Sequence, residues 1–274
     1  MSVMTTVTDE ELISLTHAIL RRYGIDFTCY ESTSLKRRIV RALNVLKLDS
    51  THQLWIRLLK DRDFIYPFID EVAVGLTSMF RDPILWQTLR REALQAIPAK
   101  DQLNIWHAGC STGEEVYSMG IVLQETGIIS KAKAVASDMS EAAIKIAQEG
   151  AYHPLKIAEY EKNYATYNPT GIFKRYYSVQ TQGGKMQAEL IRHVDFRFHN
   201  LITDPIKEQY DIIFCRNVMI YFDQAAKIKL LDQFYQHLNP GGLFIIGFYD
   251  ALVPMISKSR YKYLNLDAKI FQKI

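Results

Sequence analysis

The sequence predicts an α/β fold: an all-helical N-terminal unit, then a parallel sheet with helices on both faces, with a small antiparallel β-subdomain inserted. Three observations lead there. From residue 8 to about residue 81 apolar residues recur at helical spacing, and no convincing strand precedes residue 100. From residue 103 short apolar runs alternate with helical stretches, the pattern of a doubly wound sheet. The stretch 171–198 breaks that alternation with short strand-like runs around a glycine turn. The expected division is a helical domain over 1–84 and an α/β domain over 85–274, with the insertion at about 170–197.

Taken in order, Thr8 and Glu11 fit a capping box that starts the first helix. Ser34 is placed to cap a second helix with Leu35, Ile39, Leu43 and Leu46 on one side, leaving Lys36, Arg37, Arg38 and Arg41 largely off that stripe. Further helices read through 53–60 and 64–72. Strands at 103–108 and 133–137 are each followed by a helix, at 114–125 and 141–149. Residues 176–179 and 190–198, around Gln182-Gly183-Gly184-Lys185, read as an antiparallel hairpin, and the alternating Val194, Phe196 and Phe198 lead back into the main sheet. A strand at 212–215, a helix at 225–238 and a final strand at 243–247 complete the pattern, with Asn239-Pro240-Gly241-Gly242 as a tight turn into the last strand.

Composition narrows the class. Hydrophobic residues make up 48% and charged residues 23% of the 274, values that suit a globular protein with a substantial core. No apolar run reaches the roughly 18–20 residues of a membrane span, and the first ten residues lack a signal-peptide stretch. Cys29, Cys110 and Cys215 lie far apart, without zinc or disulfide spacing, so a reducing, cytoplasmic setting and no metal are expected. A net charge of +3 is too mild to call for nucleic acid. The cluster Lys36, Arg37, Arg38 and Arg41 is the place to meet an acidic partner.

Gly109-Cys110-Ser111-Thr112-Gly113 follows an apolar strand and opens a helix, where glycine permits close backbone approach to a ligand. It is neither GxGxxG nor a Walker loop. Glu114-Glu115 at the helix start repel phosphate, which disfavours a nicotinamide dinucleotide or ATP and tolerates a cofactor with a cationic amino-acid end. The competing reading, a tight turn with acids favoured by the helix dipole, is the weaker of the two in this strand–loop–helix context. Asp138 ends the next strand, where a carboxylate grips ribose hydroxyls, although an acid there also serves as a helix cap, as does Ser140. The strand 212–215 runs into Arg216-Asn217, placing polar groups at its carboxyl end.

These blocks carry a resemblance. Thr77-Ser78-Met79-Phe80-Arg81-Asp82, the run from Ile105 through Gly109-Cys110-Ser111-Thr112-Gly113-Glu114-Glu115 to Ser118, Ala136-Ser137-Asp138-Met139-Ser140, Phe214-Cys215-Arg216-Asn217-Val218-Met219-Ile220-Tyr221-Phe222-Asp223 and Asn239-Pro240-Gly241-Gly242 occur in the order seen in the CheR-type chemotaxis receptor methyltransferases, which the chain resembles over most of its length. The resemblance implies a Rossmann-like domain that binds S-adenosyl-L-methionine, releases S-adenosyl-L-homocysteine and methylates glutamates on the cytoplasmic helices of chemoreceptors. It implies catalytic roles for Arg81 and Tyr221. It places cofactor contacts at Thr77, Arg81, Ala108, Gly109, Glu114 or Glu115, Asp138, Met139, Asn200, Leu201, Arg216 and Asn217, and receptor docking on Lys36, Arg37, Arg38 and Arg41.

In some members the small β-subdomain docks a receptor C-terminal peptide. Departures are Gly75 where members carry asparagine, Phe248-Tyr249 where many carry His-Ser, and a short turn at Gly183-Gly184. A monomer is expected. The alternatives are a cofactor-binding regulatory module without activity, and methylation of another protein, nucleic acid or a small molecule. Neutral charge and the absence of an Asn/Asp-Pro-Pro-Tyr-like segment weigh against nucleic acid.

Overall fold

The computed structural model describes residues 6–73 and 77–274. Helices α1 (Asp9–Tyr23), α2 (Ser32–Val45), α3 (Thr51–Lys60) and α4 (Ile65–Ala73) form the N-terminal unit. The expected capping box starts α1: Thr8 N–H donates to Glu11 Oε2 at 2.8 Å and Glu11 N–H to Thr8 Oγ1 at 3.2 Å. For α2 the cap is Glu31, not Ser34. Its carboxylate accepts from the N–H groups of Thr33 and Ser34, and a charged acceptor at the helix start outcompetes a hydroxyl. The apolar stripes of all four helices close on one core that includes Leu15, Ile19, Ile39, Leu58 and Phe68.

The helical pattern expected to about Arg81 does not extend through residues 77–81. Beyond the undescribed residues 74–76, which include the Gly75 departure, 77–82 form an irregular turn. Phe80 (φ 51°) and Asp82 (φ 58°) sit there in left-handed conformations. Pro83 starts α5 (Pro83–Thr88), which passes through a π-helical turn, Leu89–Ala93, into α6 (Leu94–Ala96).

The α/β domain consists of β1 (Leu103–Ala108), α7 (Glu114–Glu125), β2 (Ala132–Asp138), α8 (Glu141–Glu149), β3 (Ala151–Tyr152), α9 (Pro154–Tyr167), β4 (Tyr177–Gln180), β5 (Gly183–Met186), β6 (Val194–Phe198), β7 (Tyr210–Cys215), α10 (Gln224–His237), β8 (Leu238–Ile246), β9 (Tyr261–Asn265) and β10 (Ile270–Lys273). Its seven-stranded sheet has the order β6-β2-β1-β7-β8-β10-β9. The first five strands are parallel, and β10 runs antiparallel to both β8 and β9. Alternation sorts the side chains: Ile105, Ile212, Phe214 and Ile245 join a core with Trp86, Tyr160 and Tyr164, whereas Trp106, Ile213, Cys215 and Phe244 join one with Leu230 and Phe234 of α10.

Three expectations change here. The insertion is a three-stranded sheet, β3-β5-β4, in which β4 pairs with β5 across a two-residue turn. Residues 190–198 are not the hairpin partner. Leu190 is buried against Gly120 of α7, and β6 extends the main sheet beside β2. The 243–247 strand is not the last, because β9 and β10 close the far edge. Asn239-Pro240-Gly241-Gly242 lies within β8 as an irregularity, the register passing from Tyr210↔Leu238 to Ile212↔Leu243.

Candidate active site

The carboxyl ends of β1, β2 and β7 open onto a cleft roofed by the helical unit. The glycine loop forms its floor. Gly109 and Cys110 N–H donate to the Ser137 carbonyl at 2.8 and 2.9 Å, pinning the loop to β2. Gly109 has φ 84°, and a Cβ there would run into Val218, so only glycine fits.

Asp138 lies at the tip of β2. Its carboxylate accepts from Ser111 N–H at 2.8 Å and Ser140 N–H at 3.0 Å. Burial raises its pKa, and the surrounding backbone N–H groups only partly offset that. Ser140, not Asp138, caps α8, its hydroxyl accepting from Ala143 N–H at 3.0 Å.

Glu115 also lines the cleft. One oxygen is 2.8 Å from His107 Nδ1 and the other accepts from Arg216 at 3.1 Å. Burial alone would raise its pKa, but His107 and Arg216 hold it below the ordinary value. Arg216 continues the chain to Asp82 at 2.8 Å and to the Arg81 carbonyl at 3.1 Å. One buried guanidinium thus ties the end of β7 to the 77–82 turn and to α7. The next residue, Asn217, is left-handed (φ 59°), and its N–H donates to Asp250 at 2.7 Å.

From the helical side come Tyr30, Arg38, Ala73, Thr77, Ser78 and Arg81. Tyr30 and Phe222 form an isolated antiparallel bridge, in which Glu31 N–H donates to the Tyr221 carbonyl at 2.9 Å and Asp223 N–H to the Cys29 carbonyl at 2.8 Å. Arg38 lies over the Tyr221 ring and donates to the Val72 carbonyl.

The cleft gathers Thr77, Arg81, Gly109, Glu115, Asp138, Met139, Asn200, Leu201, Arg216, Asn217 and Tyr221. Two expected contacts do not line it. Ala108 is buried at the end of β1, and Glu114 is fully buried away from the cleft. There Lys156 (2.6 Å), Tyr160 (2.8 Å) and Thr112 (2.6 Å) hold its carboxylate. Adjacent helical residues point about 100° apart, so only one of the two glutamates can face the ligand. Of the basic cluster, Arg38 enters the cleft, Lys36 pairs with Asp9 at 2.8 Å, Arg41 approaches Glu71 at 3.7 Å and Arg37 is exposed. Tyr30 and His199 line the cleft without having been singled out, since neither belongs to a chemistry-bearing spacing.

The residues suit S-adenosylmethionine. Asp138 offers a carboxylate for ribose hydroxyls, and Glu115 an anion for an ammonium group. Asn217 Nδ2 is a buried donor without a partner among the described residues. Among those residues no group of His, Cys, Asp and Glu is arranged to hold a metal ion, and no helix is long and apolar enough to cross a membrane.

Comparison with known proteins points to the same cofactor. The family profile described as "CheR methyltransferase, SAM binding domain" matches residues 75–269, and "CheR methyltransferase, all-alpha domain" matches 10–73. The Pseudomonas putida protein Cher3 is 31% identical over 266 residues, 97% of each chain. Chemotaxis protein methyltransferase 2 of Pseudomonas aeruginosa is 32% identical over 90% of this chain and 88% of its own. A chemotaxis protein methyltransferase of Listeria monocytogenes is 27% identical over 87% and 89%.

Proposed function

The chain belongs to the CheR methyltransferase family, and from that premise we propose that it methylates glutamate side chains on the cytoplasmic helices of chemoreceptors, with Arg81 and Tyr221 as its catalytic residues. One observation carries the assignment: Arg81, from the turn before α5, and Tyr221, after β7, line the same cleft as the acidic pair Glu115 and Asp138.

When bound, S-adenosylmethionine supplies a methyl group on a sulfonium centre. Asp138 accepts the ribose hydroxyls, Glu115 faces the ammonium end, and Asn200 and Leu201 border the adenine. A substrate carboxylate is already ionised near neutral pH, so no general base is required of the chain. Arg81 orients that carboxylate and Tyr221 hydrogen-bonds to it, while the helical roof keeps water out. The guanidinium must not grip too tightly, since ground-state binding contributes nothing to the rate of the chemical step. Arg37, an exposed member of the Lys36–Arg41 cluster, meets the acidic receptor helices by electrostatic complementarity. A receptor tail would add to the β-subdomain along the β4 edge. The enzyme works in the cytoplasm as a monomer.

The test is transfer of labelled methyl to a cytoplasmic receptor fragment. Arg81→Ala is expected to abolish transfer while S-adenosylhomocysteine still binds in calorimetry. Transfer near the wild-type rate would remove Arg81 from the chemistry. A wild-type chain that binds the cofactor product but transfers to no receptor fragment would mark a regulatory module instead.

A further inference from the structure

The helical unit carries a second concavity that shares no residue with the active cleft. It lies between α1 and α3, which run in the same sense: Thr51 at the start of α3 bonds Glu11 near the start of α1, and Tyr23 at the end of α1 bonds the Leu58 carbonyl near the end of α3. The two helix ends therefore lie at one mouth of the groove. Its walls are apolar along their length, with Ile13 (56% exposed) on α1 and Trp55 (39%) and Leu59 (48%) on α3. Toward the helix ends it carries Arg21, Arg22 and Arg62.

Single exposed apolar residues are ordinary, but three large ones sharing a concavity are not. The charge is equally distinctive. Two of the four basic residues of α2 have acidic partners and a third is folded into the active cleft, whereas among the described residues Arg21, Arg22 and Arg62 form no ion pair. Three guanidiniums around one mouth raise the local potential and favour an anionic occupant. Trp and Arg are also the side chains that most often anchor interfaces. A groove between two helices accepts a third helix by its apolar stripe. A membrane surface fits less well, because the apolar groups line a hollow and do not project from a convex face.

We propose that the α1–α3 groove docks an acidic amphipathic helix of a partner protein, its apolar stripe over Trp55 and Leu59 and its carboxylates against Arg21, Arg22 and Arg62.

Trp55 supplies the readout. Trp86 and Trp106 are 0% and 2% exposed, so Trp55 is the solvent-accessible member of the three tryptophans. Acrylamide quenching of the full chain is measured with a synthetic helix bearing leucines at heptad spacing and glutamates on its flanks. Saturating peptide is expected to lower the quenching constant by about threefold, and Arg21→Glu with Arg22→Glu to weaken binding by about tenfold or more. S-adenosylhomocysteine affinity should be unchanged in that variant, which shows that it is folded; if it is not, Arg62→Glu takes its place. Several results would overturn the proposal. These are equal protection by a scrambled peptide, no protection at any concentration, and protection by phosphatidylglycerol vesicles but not by the peptide. Burial of Trp55 in a dimer detected by sedimentation, with no peptide present, would assign the groove to a second copy of the chain.

Discussion

The guanidinium of Arg38 lies 3.7 Å from the centre of the Tyr221 ring. A residue of α2 thereby holds the face of a side chain that follows β7. A cation over an aromatic face is worth about 0.5–2 kcal/mol, more where water is excluded. Replacing Arg38 by alanine frees the ring and leaves the cofactor contacts on the sheet side untouched. Methyl transfer is expected to fall by about tenfold, with S-adenosylhomocysteine affinity within about twofold of wild type by calorimetry. Equal losses in both would show that Arg38 serves the cofactor and not Tyr221.

Glu114 and Glu115 separate by function. Glu115→Gln keeps the side chain's shape but removes the charge facing the ammonium group, and should weaken cofactor affinity by about tenfold. Glu114→Gln should leave affinity within about threefold, while lowering stability in a urea titration because Lys156 and Tyr160 lose a buried anionic acceptor. The reverse order of affinities would exchange their roles.

Asp138 makes cofactor binding pH-dependent. Burial raises its pKa above the ordinary aspartate value, and ribose hydroxyls need the ionised form as acceptor. Binding is thus full above that raised pKa and lost as pH falls through it. Glu115, held below its ordinary value, stays ionised over the same window. Affinity measured downward from neutral pH should decline before ordinary carboxylates titrate, and Asp138→Asn should be weaker and flat. A wild-type profile that stays flat to the ordinary carboxylate range would remove Asp138 from ribose binding.

Gly109→Ala imposes two separate penalties. The positive φ is unfavourable for any residue with a Cβ, at about 1–2 kcal/mol, and the new methyl collides with Val218. Denaturant titration should show a loss of about 2 kcal/mol or more. Adding Val218→Ala should recover the collision but not the backbone cost. Full recovery would mean the backbone accepts alanine freely.

The glycine loop, β1, α7, α8 and the carboxylate at Asp138 were legible because their signals are local: an apolar run, a glycine turn, a cap and a helical stripe within a few residues of one another. What escaped depended on distant partners. Helix α9 buries Tyr160, Tyr164 and Tyr167, and tyrosine at helical spacing reads as readily as strand. Strands β9 and β10 are short and polar-interrupted, and acquire meaning only once β10 pairs with β8 and β9 with β10. The choice between Glu114 and Glu115 depended on Lys156 and Tyr160, more than forty residues further along the chain. Asp250 belongs to no motif at all. It matters because the fold aims the N–H groups of Asn217 and Gly247 at its carboxylate. The basic cluster on α2 reads as one patch in sequence, but folding splits it among a cleft wall, two acidic partners and open solvent.

The bridge between Tyr30 and Phe222 bears on how such a protein can be inherited. Tyr221 takes its backbone partner from Glu31, a residue that lies in a different family domain. A chimera joining the helical unit of one relative to the cofactor domain of another would therefore have to match at this seam, or hold cofactor without placing the tyrosine. A change of backbone path on either side of the seam therefore displaces the other, although each domain has its own core.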